Sequence, residues 1–401
     1  MPVWISAGSA PSTAGDPFDP AEVLRVEPDG RIVLKKGSGS EATVDPRNVD
    51  CFPRNPPETT APDHCALIYL NDPCILENSR ARYSDDKIYT FVGHILIAVN
   101  PFARLDIYGH AIMKRYVKKQ LGDRTVEPHV YGVGEAAFRT TCDTKRPAAL
   151  VMSGESGAGK TETTKQLMNY IAWSSGKASG GAGSIGQKLA DAIIGSSPVL
   201  EAFGNSKTVR NNNSSRFGKM MRLHLLPSGE MAGAYVKSYL LEKSRIVAIT
   251  SPERNYHIWY QIIAAAPASV KGALLSGLKP PQLRTMNKST CIEIPGVDDA
   301  AGFKEVCESC DTLGVSKAQQ EQLWRTLSGL MVLANVEFSS TADDKAVVKN
   351  GDVVRRVASE PPRLEARELE PHASGCCAAS HPLADAGPTP TRHSSQLRRS
   401  S

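Results

Sequence analysis

Long apolar runs are missing from this sequence. No stretch of its 401 residues approaches the roughly 18 to 20 apolar residues of a membrane-crossing helix, and the longest, such as Ile95 to Val99, suit buried strands. No transmembrane segment is expected. The polar N-terminus carries no secretory signal, which points to the cytoplasm. Charge of one sign is scarce too: 47 Lys and Arg against 42 Asp and Glu leave a surplus of only +5, far from the basic patches of a nucleic-acid binder. Cysteine is thin, with nine residues of which only Cys307 with Cys310 and Cys376 with Cys377 are close, so neither a four-ligand zinc cluster nor a dense disulfide framework can be drawn. A reducing cytosol fits best. Beyond Gly351 the chain has no Phe, Tyr, Trp, Ile or Lys. Such a segment cannot bury enough apolar surface to offset its ordering entropy, so residues 341–401 are expected to be a disordered, divergent tail. The abrupt loss of Lys while Arg persists fits an out-of-frame or alternatively spliced end.

What is present is the composition of an ordered protein. At 22% charged and 41% hydrophobic the chain is too apolar for disorder and long enough for one large domain or two ordinary ones. Residues 1–60 hold Trp4, alternating stretches such as Arg31-Ile32-Val33-Leu34, and punctuation at Asp29-Gly30, Gly37 and Pro56-Pro57, the texture of a small β module. From about 65 to 340, strand-like runs alternate with helical periodicity, which predicts a mixed α/β domain with a largely parallel or mixed sheet. Helices are expected over Asn255 to Ala266, where Tyr256, Trp259, Tyr260 and Ile263 share a face, and over Gln320 to Leu333, where Leu323, Trp324, Leu327, Leu330 and Met331 do. Met221, Leu223 and Leu225 alternate up to Pro227-Ser228-Gly229, with a second alternating run near Val236: a hairpin. The glycine- and serine-rich stretch 174–187 predicts a flexible surface loop.

The strongest chemical signal is Gly154-Glu155-Ser156-Gly157-Ala158-Gly159-Lys160-Thr161. This is GxxxxGK[ST], a loop whose glycines let backbone N–H groups wrap around phosphate oxygens while the following helix presents its positive end to the same point. Ala149 to Ser153 is a buried-strand candidate before it. Thr163, Leu167, Tyr170 and Ile171 share a helical face after it, from Lys160 to Trp173. Lys160 would reach the β/γ-phosphates and Thr161 would ligate Mg²⁺. A nucleotide-binding protein follows, with kinase, GTPase, ATPase and motor all open.

A second polar run, Asn211-Asn212-Asn213-Ser214-Ser215-Arg216-Phe217-Gly218-Lys219, is ambiguous on residue types alone, since amides and hydroxyls at this density usually make a solvated loop. It also matches glycosylation sequons at Asn212 and Asn213, which a chain with no secretory signal should not use. Taken together, the loop within Gly154 to Glu162, the run Leu200-Glu201-Ala202-Phe203-Gly204-Asn205, and Asn211 to Gly218 closely resemble the myosin motor head. Asn100-Pro101-Phe102 with Arg104 and Tyr108, Leu240 to Arg245, Glu253-Arg254-Asn255-Tyr256-His257 and Leu333 to Phe338 extend the match, which covers about residues 60 to 340.

The resemblance implies an α/β fold: a P-loop NTPase core of the myosin/kinesin type with mixed sheet and surrounding helices over 61–340, preceded by a small SH3-like β barrel over 1–60. It implies ATP and Mg²⁺ as ligands, ATP hydrolysis as the reaction, actin filaments as partner and a cytoskeleton-associated location. Asn211 to Arg216 would be switch I, with Ser215 completing the Mg²⁺ shell beside Thr161, and Asn211 and Ser214 beside the phosphates and the attacking water. These roles suit hydroxyls, which are hard-cation ligands and proton relays, and amides, which donate without adding charge. Lys160, Asn211, Ser214, Ser215 and Arg216 would thus carry the catalysis, and Gly154, Glu155, Ser156, Gly157, Ala158, Gly159, Lys160 and Thr161 the phosphate grip. Asn100, Pro101, Arg104 and Tyr108 would line the adenine end, although an Asn-Pro turn after a strand also has a purely structural reading. Asn205 would contact phosphate or ribose, or simply cap the helix ending at Gly204.

The motor head is longer than the match. Switch II, the relay helix, most actin-contacting loops, the converter and the light-chain-binding lever have no counterpart in the sequence, so fast hydrolysis by this chain alone and light-chain binding are not expected. A non-motor nucleotide-binding fragment or a gene-model truncation is therefore the rival of a motor ATPase. An unrelated P-loop kinase or GTPase lacks any acceptor-substrate or guanine-reading motif. Cys307-Glu308-Ser309-Cys310 has CxxC spacing without a second pair, and the Arg pairs at 355–356 and 398–399 read as solvated.

Overall fold

The alternation in the first sixty residues becomes an antiparallel sheet of five strands: β1 (Pro2–Ser6), β2 (Phe18–Val26), β3 (Ile32–Lys36), β4 (Glu41–Val44) and β5 (Cys51–Pro53), in the order β4-β3-β2-β1-β5. Val3 and Ile5 bury on one face with Ala21 and Leu34, while Trp4 buries on the other with Ala61, Leu67 and Cys74. This is the period-two rule with both faces covered. No pairing joins β4 to β5 among the described residues, so the sheet is open where a closed SH3-like barrel was expected. β4 and β5, of four and three residues, form its two edges. The computed structural model describes residues 1–6, 16–56, 59–178, 185–275, 277–342 and 345–359, all within one compact unit, Met1–Pro361.

Helix α1 (Asp72–Ser84) follows, capped by Asn71, whose side chain accepts from the Cys74 N–H. The hairpin β6 (Tyr89–Val92) and β7 (Ile95–Ala98) leads to α2 (His110–Tyr116), α3 (Val130–Thr144) and α4 (Lys160–Ala178). Helices α3 and α4 cross closely at Gly134: a Cβ there would lie 3.0 Å from Tyr170 and 3.1 Å from Leu167. Leu167, Tyr170 and Ile171 bury along one side of α4 with Tyr89, Tyr116 and Tyr131, as the periodicity after the glycine loop predicts. Residues 174–178, expected in a surface loop, instead continue α4 with Ser174 and Ser175 buried. The Ser175 hydroxyl accepts from the Met231 N–H, which offsets the weak helix propensity of the segment. The remainder of that glycine-rich stretch, up to Ser184, lies outside the described residues.

After α5 (Ile185–Gly195) and α6 (Ser197–Gly204), the two-residue strands β8 (Asn205–Ser206) and β9 (Ser214–Ser215) pair antiparallel around the asparagine-rich loop. The expected hairpin is present as β10 (Gly218–Leu225) and β11 (Met231–Tyr239), with Met221 opposite Val236 and Gly229 turning the chain at φ +87°. The second core gathers α6, α7 (His257–Ala265), the short α8 (Ala268–Val270), α9 (Asp299–Thr312) and α10 (Lys317–Leu333) around Ile258, Ile262, Trp324 and Met331. Helix α10 starts at a capping box of Ser316 and Gln319. Leu330, expected on its buried face, is 48% exposed, because the buried stripe runs through Trp324, Leu327, Ser328 and Met331.

Three further expectations are corrected. No parallel or mixed sheet forms over 65–340 among the described residues: strands there pair only as antiparallel couples, including β12 (Phe338–Ser340) with β13 (Ala346–Val348), and the parallel contact Asp63–Phe91 is an isolated bridge. Ala149 to Ser153 is likewise irregular, with Val151 88% exposed while Leu150 and Met152 rest on the α3–α4 core. Apolar composition supplies burial, but a strand also needs a ladder partner, and none adjoins this one among the described residues. The first part of the segment expected to be a disordered tail is ordered: β13 pairs with β12, and α11 (Gly351–Ala358) packs Val353 and Val357 against the second core. Residues 360–401, including Cys376, Cys377 and the 398–399 Arg pair, lie outside the described residues. Among those described, no helix is long and apolar enough to cross a membrane.

Candidate nucleotide site

The loop 154–161 wraps tightly and passes straight into α4 at Lys160. Gly157 and Gly159 sit at φ +85° and +90°, left-handed backbone that side chains avoid, so these two glycines are required by the turn itself. The Ala158 N–H donates to the Glu155 carbonyl, and the Lys160 ammonium donates to the carbonyls of Gly154 and Glu155 at 2.7 and 2.8 Å. The charge of Lys160 is thereby held over the loop rather than swinging in solvent. Thr161 stands half-buried in the first turn of α4, where backbone N–H groups have no helical acceptor.

Two separate segments close on this loop. The Asn100 amide donates to the Gly157 carbonyl at 2.6 Å, and its side chain lies 3.9 Å from where a Cβ on Gly159 would stand. From the other side come the residues of the asparagine-rich run. The Asn211 side chain lies 3.7 Å from a Cβ position on Gly157, and the Ser156 and Ser214 hydroxyls hydrogen-bond at 2.9 Å. Arg210 and Glu155 add an exposed ion pair at 3.6 Å, of little energetic weight.

The run itself is internally organised. The Asn211 carbonyl accepts from the Thr208 N–H, its Oδ1 accepts from the Asn213 N–H, and its amide donates to the Asn213 carbonyl. Asn205 caps α6 through its backbone, and its buried amide donates to Asn213 Oδ1 at 2.9 Å. Asn205 thus takes the capping role left open for it, and its side chain also ties α6 to the run. Ser214 is buried, whereas Ser215 is exposed with its hydroxyl donating to the Phe217 carbonyl. Arg216 donates from Nε to Glu242 at 2.6 Å and from NH1 to the Ser214 hydroxyl at 3.3 Å.

The residues expected at an adenine end divide. Tyr108 packs among Tyr89, His129 and Tyr131, its hydroxyl 2.9 Å from that of Tyr89. Burial lifts both phenols above their ordinary range and pushes His129 down to about 4, so this cluster is neutral. Tyr131 joins it to α4, donating from its hydroxyl to Gln166 at 3.1 Å. Pro101 is half-buried, and Arg104 is exposed and not drawn into the cluster.

Thr161 and Ser215 offer hard hydroxyl oxygens, which suit Mg²⁺ held mainly by phosphates and water. No cluster of three His, Cys, Asp or Glu side chains that could hold a metal by itself occurs among the described residues. Cys307 and Cys310 lie one turn apart on α9, where burial raises both thiols, Cys310 to about 11, the setting of a helical coincidence. Sequence reasoning assigned no role to Glu242, Arg245 and Glu253, although they stand within motifs it singled out. The signal was opposite charges at close spacing, Glu242 with Arg245 and Glu253 with Arg254.

Residues 61–370 match the family model of the myosin head (motor domain), thirty residues past the point where the motif resemblance fades. The chain is similar to Myosin-5 of Arabidopsis thaliana, 39% identical over 345 residues that make up 79% of this chain and 22% of that protein. It is similar also to Myosin-15 of the same plant, 38% identical over 87% of this chain and 22% of that protein, and to Myosin-14, 40% identical over 77% and 20%. The chain thus spans about a fifth of the length of the curated relatives it matches.

Proposed function

The chain belongs to the myosin head (motor domain) family, and on that premise we propose that its 154–161 loop and 211–216 run together bind ATP with Mg²⁺ and hydrolyse it. One observation carries this reading: the Ser156–Ser214 hydrogen bond at 2.9 Å, which draws the phosphate loop and the asparagine-rich run onto one another although they are 58 residues apart in sequence. Backbone donors of the loop and the Lys160 ammonium would hold the β- and γ-phosphates. Thr161 and Ser215 would hold the magnesium ion, whose bound charge offsets that of the phosphate oxygens. Asn211 and Ser214 would stand where water attacks the γ-phosphorus as the bond to the bridging oxygen breaks. Ser214 already exchanges a hydrogen bond with Ser156 and accepts one from Arg216, a ready path for reorienting a proton. Asn100, Pro101, Arg104 and Tyr108 would bound the adenine side.

Coupling of this hydrolysis to movement along actin filaments, in a cytoskeletal setting, is the function proposed for the protein as a whole. A second reading, nucleotide binding without motor turnover, draws support from Arg216, whose guanidinium is engaged by Glu242 within this chain. Titration of a fluorescent ATP analogue into wild type and Lys160→Ala tests the shared core. Saturable, Mg²⁺-dependent binding to wild type alone is expected, and equal signals from both proteins would remove the loop from the account. Phosphate release measured with and without actin filaments then separates the readings: stimulation supports the motor, and its absence supports the binding unit.

A further inference from the structure

The 207–217 segment, which follows β8 and carries β9, lies over loop 154–161 as a lid through Ser214 and Asn211, and what holds its two flanks leads to a single buried side chain. On the leading flank, the Val209 N–H donates to Glu253 Oε1 at 3.3 Å. On the trailing flank, Arg216 donates to Glu242 Oε2 at 2.6 Å while the Glu242 N–H returns a bond to the Arg216 carbonyl at 3.0 Å. Arg245 stands between the two carboxylates. Its Nε donates to the same Glu242 Oε2 at 2.8 Å, its NH2 to Glu253 Oε2 at 2.9 Å, and its NH1 to the Arg254 carbonyl at 3.0 Å. The backbone of Arg254 in turn donates to the Lys207 carbonyl at the lid's entrance. With its side chain only 5% exposed, Arg245 is screened from solvent, whereas Glu242, Glu253 and Arg216 are 32%, 18% and 29% exposed. Burial works to raise the Glu242 carboxyl, yet hydrogen bonds from Arg245 and Arg216 bring it below its ordinary value, so it stays charged for both guanidiniums.

We propose that Arg245 is a positioning residue that staples both flanks of the lid through Glu242 and Glu253 and so sets how closely Asn211 and Ser214 approach the phosphate loop. The proposal rests on the nucleotide-binding reading for its consequence, though not for its geometry. A planar guanidinium suits the task because its donors diverge in a fixed fork, so two carboxylates bound to it are held at a set separation. A lysine offers a point charge that can satisfy either carboxylate without fixing both. The chemistry that senses the lid is the γ-phosphate: a nucleoside triphosphate needs Asn211 and Ser214 in place, while a diphosphate is held mainly by loop 154–161. Arg245 should therefore govern preference for triphosphate over diphosphate rather than binding as such.

The test uses the full chain as wild type, Arg245→Met, Arg245→Lys and Glu253→Gln. Amide hydrogen exchange without nucleotide reads the staple itself. Exchange across 207–217 is expected to rise at least tenfold in Arg245→Met, less in Glu253→Gln, with α7 and α10 unchanged. Affinity for a non-hydrolysable ATP analogue relative to ADP reads the consequence, and the preference is expected to fall at least tenfold in Arg245→Met and partly in Arg245→Lys. An unchanged lid in Arg245→Met, or a rise spread equally over α7 and α10, would overturn the proposal. Should Arg245→Met fail to fold, Glu253→Gln decides: lid exchange equal to wild type overturns it. A wild type that binds neither nucleotide would sink the proposed function while the exchange comparison still judged the staple.

Discussion

The lid around Asn211 and the helical core around α7 and α10 lie side by side, yet opposite forces hold them. In the core, Ile258, Ile262, Trp324 and Met331 are all within 2% of complete burial and are kept in place by exclusion of water. The lid buries little apolar surface: Val209 is 71% exposed, and its geometry comes from amide hydrogen bonds and the Glu242–Arg245–Glu253 staple. Apolar packing has no cheap alternative arrangement, whereas polar contacts can be exchanged for water, phosphate or another carboxylate at small net cost. On the proposed reading, the core is a fixed wall and the lid is the part that responds to a ligand. His257 belongs to both, since it opens α7 and its Nε2 lies 3.2 Å from Asn213 Oδ1.

The contrast can be broken most forcefully from the core. Trp324→Ala should cost about 3–5 kcal/mol in denaturant unfolding, the ordinary penalty for emptying a packed aromatic site, with loss of the lid as a by-product. Lys160→Ala should do the reverse, lowering ATP-analogue affinity by roughly ten- to a hundred-fold, the weight of one charge-assisted hydrogen bond to phosphate, while leaving the unfolding midpoint unchanged. Arg245→Met falls between them and separates lid from core.

Acid probes two buried histidines, His257 at the seam and His129 in the tyrosine cluster. Burial, reinforced by the charge of Arg254, pushes His257 down to about 4, and burial alone carries His129 to about 4. Both have ordinary values near 6.5 in the unfolded chain, so between pH 6.5 and 4 the unfolded state binds protons that the folded state refuses. Stability is then fully present above about pH 6.5 and falls as pH drops toward 4, with a slope approaching about 1.4 kcal/mol per pH unit for each histidine. Urea unfolding at pH 7, 6 and 5 checks this, and a flat profile would contradict the burial of both rings. The smallest effect belongs to Ser316→Ala, which removes the α10 cap and should cost about 1 kcal/mol without touching nucleotide affinity.

How much was legible in the sequence follows the same division. The glycine loop, the β10–β11 hairpin and helices α7 and α10 were readable because their determinants are local: glycine spacing, alternation, three- and four-residue periodicity. The 149–153 run misled because a strand is defined by its neighbour and not by its own apolarity. The 174–178 turn of α4 was hidden because its support, Ser175 accepting from Met231, comes from 56 residues away. The staple was hidden for the same reason, with Arg216 and Glu242 separated by 26 residues and Val209 and Glu253 by 44. The roles of Lys160, Asn211, Ser214 and Arg216 were suggested by family motifs, and the contacts of Ser214 with Ser156 and Arg216 became visible only in three dimensions.

The most direct test is amide exchange of the full chain with and without Mg²⁺ and a non-hydrolysable ATP analogue, followed in three peptides covering 154–161, 207–217 and α10. If one ligand is gripped between loop and lid, the first two peptides slow together while α10 stays constant. If neither slows at saturating analogue, or the loop slows while the lid remains as in the free protein, the two segments do not form one site.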